Sequence, residues 1–372
     1  MSALTILSDE EQSYFDAIKD FAKKEITPHV AAMDEAQQVN KDIVKKLFDM
    51  GLMGIEVPQS LEGSEASFFT AILAVQAISQ VDPSVGVMVD VQNTLVNNAF
   101  MRWGSDALKK KYLPQLATGK VGSYCLSESS SGSDAFALKT KAVKKDGKYI
   151  LNGQKLWITN AGEADIFIII ANLNPEQGYK GITAFIVERG FKGFSVSKKE
   201  NKLGIRASST CELVLEDCEV PLENLLGEEG KGYKVAIETL NEGRIGIGAQ
   251  MVGLAEAALN HAVDYVKTRN QFGKPIASFQ GMQFQLAQMA IDVETAKLMV
   301  YNAARLKDAG KDFVKEAAMA KYHSSQVAER VASLAVECFG GYGFVKDYPV
   351  EKLYRDAKIG KIYEGTSFMQ LM

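Results

Sequence analysis

Hydrophobic positions in the first third of the chain recur at helical spacing. Apolar residues between 15 and 26 follow a capping box formed by Ser8 and Glu11, and Pro28 is expected to end this helix. A second helix has its apolar face at 43–48 and reaches Gly51, where a C-terminal cap is expected. Residues 66–81 carry no charge and are apolar nearly all round. They are too few for a membrane span of roughly 20 residues and predict a helix inside a bundle.

The hydrophobic period changes near Gly122. Asp146-Gly147 and Asn152-Gly153 are two hairpin-turn signals, and they separate short runs of strand-like sequence. Runs rich in β-branched residues at 166–170, 182–187 and 213–215 predict further strands. This pattern predicts a small β domain that ends near Pro221.

Long helical patterns return after Gly232 and extend over 237–266, 279–307 and 313–338. Helices, strands and helices thus follow one another as separate blocks, which favours an α+β multidomain protein over an alternating α/β sheet. We predict an N-terminal α-helical domain at 1–121, a middle antiparallel β domain at 122–230 and a C-terminal, four-helix-bundle-like α domain at 231–372.

Composition narrows the classes of function. The 372 residues carry a net charge of −4, without the basic excess that binding to nucleic acid requires. The four cysteines and three histidines are scattered, so we expect no metal site and a reducing compartment. Gly246 and Gly248 form only a G-x-G inside a helical pattern, which indicates close helix packing rather than a phosphate loop.

Three stretches, in order along the chain, carry a resemblance to a known family. They are Tyr124-Cys125-Leu126-Ser127-Glu128, Trp157-Ile158-Thr159, and Tyr354-Arg355-Asp356 followed by Ile362-Tyr363-Glu364-Gly365-Thr366. The chain resembles the acyl-CoA dehydrogenases through nearly its whole length. Residues 202–210 and 241–247 are most similar to the short/branched-chain members of that family.

This resemblance implies an FAD enzyme that introduces a trans double bond between the α and β carbons of a short or branched acyl-CoA, such as 2-methylbutyryl-CoA. Glu364 would be the catalytic base, and the hydride would pass from the β carbon to flavin N5. Some relatives take the base from the position of Gly243, which cannot act as one here. The implied setting is fatty-acid or branched-chain amino-acid catabolism, with electron transfer flavoprotein as acceptor and a homotetrameric assembly.

By the same resemblance, the FAD site draws on several parts of the chain. The implied cofactor-binding residues are Tyr124, Cys125, Leu126, Ser127, Ser133, Trp157, Ile158, Thr159, Arg269, Gln280, Glu337, Cys338, Phe339, Gly340, Gly341, Thr366, Ser367 and Phe368. Arg269 would reach the pyrophosphate of a cofactor held by a neighbouring subunit. The implied substrate-binding residues are Ser133, Tyr179, Tyr233, Asn241, Glu242, Gly243 and Arg244.

Some features of the sequence depart from the family pattern. Phe368 stands where the family usually has a polar residue, and the printed chain stops at Met372, before the helix that usually follows. With Phe368 we expect one flavin contact to be made by the backbone alone or to be missing, and without that helix we expect weaker FAD retention or tetramer packing. Two alternatives stay open at this point: an acyl-CoA oxidase that uses oxygen, and a non-catalytic acyl-CoA-binding protein on the same fold.

The resemblance implies the mitochondrial matrix, or the cytoplasm for a bacterial protein. The first residues, Met1 to Leu4, have neither the apolar core of a signal peptide nor an Arg-rich amphipathic segment. We therefore expect any targeting peptide to be absent from the printed sequence.

Overall fold

The computed structural model describes residues 3–372. Helices occupy residues 9–118, strands dominate residues 122–226, and helices return from 232 to 371. The predicted order of an α-helical, a β and a second α-helical part is confirmed. In the part of the chain that the structure describes, no helix is both long and apolar enough to cross a membrane.

The N-terminal part contains seven α-helices joined by shorter helical turns. Their bounds are α1 Asp9–Phe21, α2 Val30–Ala36, α3 Lys41–Asp49, α4 Phe68–Ser79, α5 Pro83–Asp90, α6 Asn98–Trp103 and α7 Asp106–Thr118. The capping box at the start of α1 is confirmed, because Ser8 accepts from the Glu11 N–H while Glu11 accepts from the Ser8 N–H. As predicted, α4 is buried on nearly every side.

The prediction that Pro28 ends the first helix is wrong. A π-helical turn at Ala22–Ile26 and a 3-10 turn at Thr27–His29 carry the chain from α1 into α2. Pro28 lies in the first turn of its helical segment, where its missing N–H removes no intrahelical hydrogen bond. The stop comes instead at Gln37, which has a left-handed backbone with φ of 55°.

The middle part is a mixed eight-stranded sheet. Its strands are β1 Gly122–Cys125, β2 Lys141–Lys145, β3 Lys148–Thr159, β4 Ile166–Asn172, β5 Ile182–Glu188, β6 Phe194–Lys199, β7 Thr210–Pro221 and β8 Leu225–Leu226. The strand order is β6-β7-β3-β2-β4-β5-β8, with β1 paired to β4. Most neighbours are antiparallel as predicted, but β1 and β2 each pair with β4 in parallel.

One of the two predicted hairpin turns is present. Asp146 and Gly147 both have positive φ and connect the antiparallel strands β2 and β3. Asn152-Gly153, by contrast, lies inside β3 at a shift in the pairing register with β7. Gly153 is needed there because an added Cβ would lie 2.6 Å from Thr140 Oγ1, so this glycine marks a bulge rather than a turn.

The C-terminal part contains five helices and one small hairpin. The helices are α8 Gly232–Thr268, α9 Gln280–Asp308, α10 Val314–Phe339, α11 Val350–Ala357 and α12 Ser367–Leu371, and the hairpin strands are β9 Asn270–Gln271 and β10 Lys274–Pro275. Within α8 the close packing predicted at two glycines is confirmed. A Cβ on Gly246 would lie 1.8 Å from Asp90, and one on Gly248 would lie 2.9 Å from Val300.

Candidate active site

Glu364 lies in a sharp turn between α11 and α12. Its backbone is left-handed, with φ of 51°, and the following Gly365 has φ of 87°. The Gln370 side chain donates to the carbonyls of both residues at 2.9 Å, and Lys321 Nζ donates to the Gly365 carbonyl at 2.6 Å. A carboxylate residue in an unfavourable backbone conformation, held from two sides, is typical of a functional turn.

The Glu364 carboxyl group packs against helix α8 where that helix has no side chain. A Cβ added to Gly243 would lie 3.0 Å from Glu364 Oε2 and 2.7 Å from Leu95 Cδ2. Oε2 itself is buried and has no hydrogen-bond partner within residues 3–372. The glycine therefore makes the room that the carboxyl group occupies.

Burial raises the pKa of Glu364 to about 7, although the positive charges of Lys321 and Arg244 act to lower it. Burial also lowers the pKa of Lys321 to about 8, against the effect of Glu364. A carboxyl group with a pKa near neutrality takes up and releases a proton readily at physiological pH. The turn thus holds a base suited to removing a weakly acidic proton.

Two of the predicted cofactor-binding stretches lie next to each other in the middle part, although β1 and β3 are not neighbouring strands. The Leu156 N–H donates to the Ser127 carbonyl at 2.9 Å, and Ser123 Oγ donates to the Thr159 carbonyl at 2.9 Å. Trp157 projects from a bulge with a left-handed φ of 58°, and its side chain is 55% exposed. A large aromatic residue held exposed at a strained position indicates a surface built to face a ligand.

The other predicted residues of these stretches differ in exposure. Four of them are buried: Tyr124, Cys125, Leu126 and Ile158. Ser133, by contrast, is exposed. Thr366 precedes α12, Ser367 accepts from Gln326 Nε2 at 3.2 Å, and the Phe368 ring is 81% exposed. Buried members of this set can contact a cofactor only through their backbone.

A second group of predicted cofactor residues lies at the far end of α8. These residues line one aromatic cleft of about 1070 Å³: Arg269, Glu337, Cys338, Phe339, Gly340 and Gly341. The Arg269 guanidinium lies over the Tyr342 ring at 5.3 Å and forms no ion pair within the described residues. Gln280 begins α9 nearby, after the short hairpin. A cation and aromatic rings around a large open cleft are suited to a nucleotide.

The predicted substrate residues divide into two sets. Tyr179 and Tyr233 pack edge to face, with ring centroids 5.1 Å apart, and Phe136 joins them. Arg244 donates to Asn241 Oδ1 at 3.0 Å, and its buried Nε has no hydrogen-bond partner among residues 3–372.

Glu242 lies outside the group around Glu364. Its carboxylate accepts from Asn98 at 2.6 Å and pairs with Lys307 at 3.6 Å and Arg102 at 3.7 Å. This network joins α8 to the N-terminal helices. The Glu242 carboxylate is therefore engaged by Asn98, Lys307 and Arg102 rather than by the group around Glu364.

Sequence reasoning missed Lys321, Gln370, Asp90 and Phe136. Lys321 and Gln370 hold the Glu364 turn, Asp90 is buried beside Gly246, and Phe136 completes the aromatic cluster. Only Asp90 gave a usable signal, since it interrupts an apolar run at 85–91 that otherwise carries no charge. The others lie on helices and loops whose sequences are unremarkable.

Comparison with known proteins gives the same picture for the whole chain. The family models for the acyl-CoA dehydrogenase N-terminal, middle and C-terminal domains match residues 8–120, 123–218 and 230–372. A probable short/branched chain specific acyl-CoA dehydrogenase of Dictyostelium discoideum is 55% identical over 99% of this chain and 89% of its own length. The mitochondrial short/branched chain specific enzyme of Rattus norvegicus is 50% identical over 99% and 85%.

A solved structure agrees closely in fold. Butyryl-CoA dehydrogenase from Megasphaera elsdenii superposes with a TM-score of 0.97 at 44% identity, covering 100% of this chain and 98% of that one. The names of these relatives support neither the oxidase nor the non-catalytic alternative. The chain therefore belongs to the acyl-CoA dehydrogenase family and is an FAD-dependent oxidoreductase that acts on the CH–CH bond of acyl-CoA thioesters.

Proposed function

We propose that this enzyme dehydrogenates short or branched acyl-CoA thioesters such as 2-methylbutyryl-CoA, with Glu364 as the base that removes the α proton. The single observation that carries the proposal is the buried Glu364 carboxyl group, packed on Gly243 with Oε2 unpartnered. The names of the Dictyostelium and Rattus relatives support the short/branched class.

Proton removal from a thioester needs a base and a donor for the enolate oxygen that develops. Glu364 supplies the base, since burial raises its pKa to about 7 and it is partly ionised at neutral pH. Its own backbone N–H has no acceptor within residues 3–372 and is free to donate to the thioester oxygen. Lys321 and Gln370 fix this turn, so that both groups are in place before substrate binds.

The residues near Glu364 fit the flavin half of FAD. Trp157 presents an exposed indole, and backbone groups are presented by Tyr124, Cys125, Leu126, Ser127, Ile158 and Thr159. By the family resemblance, Ser133 and residues 366–368 complete this site. When bound there, FAD supplies the acceptor for the hydride that leaves the β carbon. Tyr179, Tyr233, Asn241 and Arg244 would orient the CoA portion, with Glu242 and Gly243 contributing backbone to that helix face.

The nucleotide half of FAD requires a second subunit. Helix α8 is continuous from Gly232 to Thr268, so the 26 residues between Gly243 and Arg269 span about 39 Å. That separation exceeds the reach of one FAD, yet predicted cofactor residues lie both near Glu364, which packs on Gly243, and at Arg269. We therefore assign the Arg269 cleft, with Gln280 and residues 337–341, to the cofactor of a neighbouring copy.

A homotetramer allows each FAD to be bound by residues of two neighbouring subunits. Helix α9 presents Phe284, Ile291 and Leu298 to solvent at seven-residue intervals, and their side chains are 68%, 56% and 37% exposed. Such an apolar stripe on a long helix is typical of a surface that packs against another subunit. Native mass spectrometry of the FAD-bound protein should give the mass of four chains, and a monomer that retains FAD would contradict this assembly.

Electron transfer flavoprotein is the acceptor that we propose for the reduced enzyme, in fatty-acid or branched-chain amino-acid breakdown. The resemblance supports this partner, and the mitochondrial Rattus relative supports the mitochondrial matrix as the setting in a eukaryote. The bacterial Megasphaera relative makes the cytoplasm the corresponding setting in a bacterium.

Anaerobic flavin bleaching tests the proposed activity directly. The FAD-bound protein is mixed with butyryl-, 2-methylbutyryl-, isobutyryl- and hexanoyl-CoA, and the loss of flavin absorbance is followed over time. Rapid bleaching by the butyryl and 2-methylbutyryl thioesters is expected. A yellow protein that none of the four thioesters bleaches would contradict the proposed function.

A further inference from the structure

A second carboxyl group, that of Asp90, is buried close to Glu364. Asp90 ends helix α5 and has no exposed surface. Thr94 Oγ1 donates to Asp90 Oδ1 at 2.9 Å, whereas Oδ2 has no hydrogen-bond partner within residues 3–372. An unpartnered carboxyl oxygen in the interior is costly, so its position calls for an explanation.

Both carboxyl groups rest on glycines of the same helix. Glu364 lies against Gly243, and Asp90 lies against Gly246, where an added Cβ would meet Oδ1 at 1.8 Å and Oδ2 at 3.1 Å. Residues three apart share one face of a helix, and the rise between them is about 4.5 Å. The two carboxyl groups are therefore neighbours on one face of α8, one turn apart.

The direction of the acyl chain follows from the order of groups along α8. Tyr233 lies in the aromatic cluster with the half-exposed Tyr179, about 15 Å before Gly243 along the helix. Beyond Gly246, Gln250 closes the space by donating to the Pro83 carbonyl at 2.7 Å and accepting from the Tyr363 hydroxyl. Along α8 the order is therefore the exposed aromatic cluster, the base Glu364, then Asp90, and last the Gln250 contacts that close the space.

The surroundings of Asp90 favour its protonated form. Burial raises the pKa of Asp90 well above its usual range; the Thr94 hydrogen bond opposes this shift, and the charge of Glu364 adds to it. Lys321 and Arg244 act on Glu364, and no cation acts on Asp90. Cations therefore favour negative charge on Glu364, whereas burial and the charge of Glu364 favour the protonated form of Asp90.

We propose that Asp90 ends the acyl pocket and sets its depth, so that the enzyme accepts a four-carbon main chain and discriminates against a six-carbon one. This inference rests on the proposed function, because it takes the α carbon to lie at Glu364. Butyryl and 2-methylbutyryl chains have two main-chain carbons beyond the α carbon, which fit within one turn of α8. Hexanoyl has four, and its last carbons would have to displace the Asp90 carboxyl group.

The test separates binding from chemistry by using Glu364→Gln protein, loaded with FAD, as the background. Butyryl-CoA and hexanoyl-CoA are titrated calorimetrically into this variant and into the double variants that add Asp90→Ala or Asp90→Asn. Alanine removes the carboxyl group and should raise the affinity for hexanoyl-CoA relative to butyryl-CoA at least about tenfold. Asparagine keeps the shape and should leave that ratio within about threefold.

An unchanged ratio in the Asp90→Ala protein would overturn the inference, and so would an equal change in the Asp90→Asn protein. Asp90→Ser, which keeps an acceptor for Thr94, is the second truncation if the alanine variant does not fold, and it should move the ratio in the same direction. Wild-type protein is mixed with butyryl-CoA in parallel, and its flavin bleaching distinguishes failure of the proposed function from failure of the role proposed for Asp90. Without bleaching the proposed function fails, whereas bleaching with an unchanged ratio removes only the role of Asp90.

Discussion

Two buried charged clusters lie in the same C-terminal stretch of chain and differ in how their charges are compensated. In the first, Lys352 pairs with Asp356 at 2.6 Å and with Asp82 at 3.1 Å, and the Ile205 N–H donates to Asp356. Burial alone would lower the pKa of Lys352, but the two aspartates raise it above its usual range. Lys352 thus contacts both carboxyl groups of this cluster, although Asp82 Oδ2 itself has no hydrogen-bond partner within residues 3–372.

The second cluster surrounds Glu364 and lacks such partners. Within residues 3–372 no cation forms an ion pair with the Glu364 or Asp90 carboxyl group, and Lys321 donates to a backbone carbonyl rather than to a carboxylate. The pKa of Glu364 is therefore raised to about 7, near the pH at which the enzyme would work. Buried charge by itself does not separate stability from chemistry; here the reactive group is a buried carboxyl group that no cation within residues 3–372 contacts.

Glu364→Gln gives the largest expected effect on the reactive cluster. The amide cannot accept the α proton, so the rate of flavin reduction should fall about 10⁴-fold, measured by anaerobic stopped-flow absorbance. Butyryl-CoA binding should persist, because the substitution changes neither size nor shape. Undiminished flavin reduction would remove Glu364 from its assigned role.

Lys352→Met should affect stability rather than chemistry. Two buried carboxylates would lose their cation, which should lower the free energy of unfolding by about 3–5 kcal/mol in urea titrations. Lys346→Met is the matched control, since Lys346 pairs with Glu35 on the surface and the loss should stay below about 1 kcal/mol. Equal losses of unfolding free energy in the two variants would show that the buried Lys352 cluster is no more important for stability than a surface ion pair.

Gly243→Leu should displace the base without removing it. The new side chain would occupy the space that Glu364 Oε2 and Leu95 now fill, and a base misplaced by about 1 Å costs about 10²-fold in rate. Gly119→Leu is a matched control, because an added Cβ there meets no atom within 4 Å. Equal rates of flavin reduction in both variants would show that the room beside Gly243 is unimportant.

Lys321→Met should give the smallest effect, a shift in pH dependence. Removing a positive charge that favours the ionised carboxylate should raise the pKa of Glu364, moving the acidic limb of the rate profile up by about one pH unit. Lys315→Met, on the same helix but exposed to solvent, should leave the limb in place. A downward shift would mean that Lys321 does not act on Glu364 electrostatically.

Much of the fold could be predicted from local signals. The capping box at Ser8, the apolar run that became α4, and the Asp146-Gly147 turn each have one local cause, and the structure contains all three. Pro28 and Asn152-Gly153 were misread because each signal fits two structures. Proline suits the first turn of a helix as well as its end, and Asn-Gly suits a bulge as well as a hairpin.

The active site could be predicted only where a family motif covers it. Glu364 lies in such a motif, but Lys321, Asp90 and Gln370 reach the site from distant parts of the chain. Their role depends on which polar atoms are left unpaired after folding, and residue order does not contain that information.

The pH dependence of flavin reduction by butyryl-CoA tests the central claim most directly. A base whose pKa is raised to about 7 must be ionised to act, so kcat/KM should fall about tenfold per pH unit below about pH 7 and reach a plateau above it. A profile that is flat over this range, or one whose limb lies near the ordinary carboxyl value of 4.5, would contradict the account of Glu364 as an uncompensated buried base.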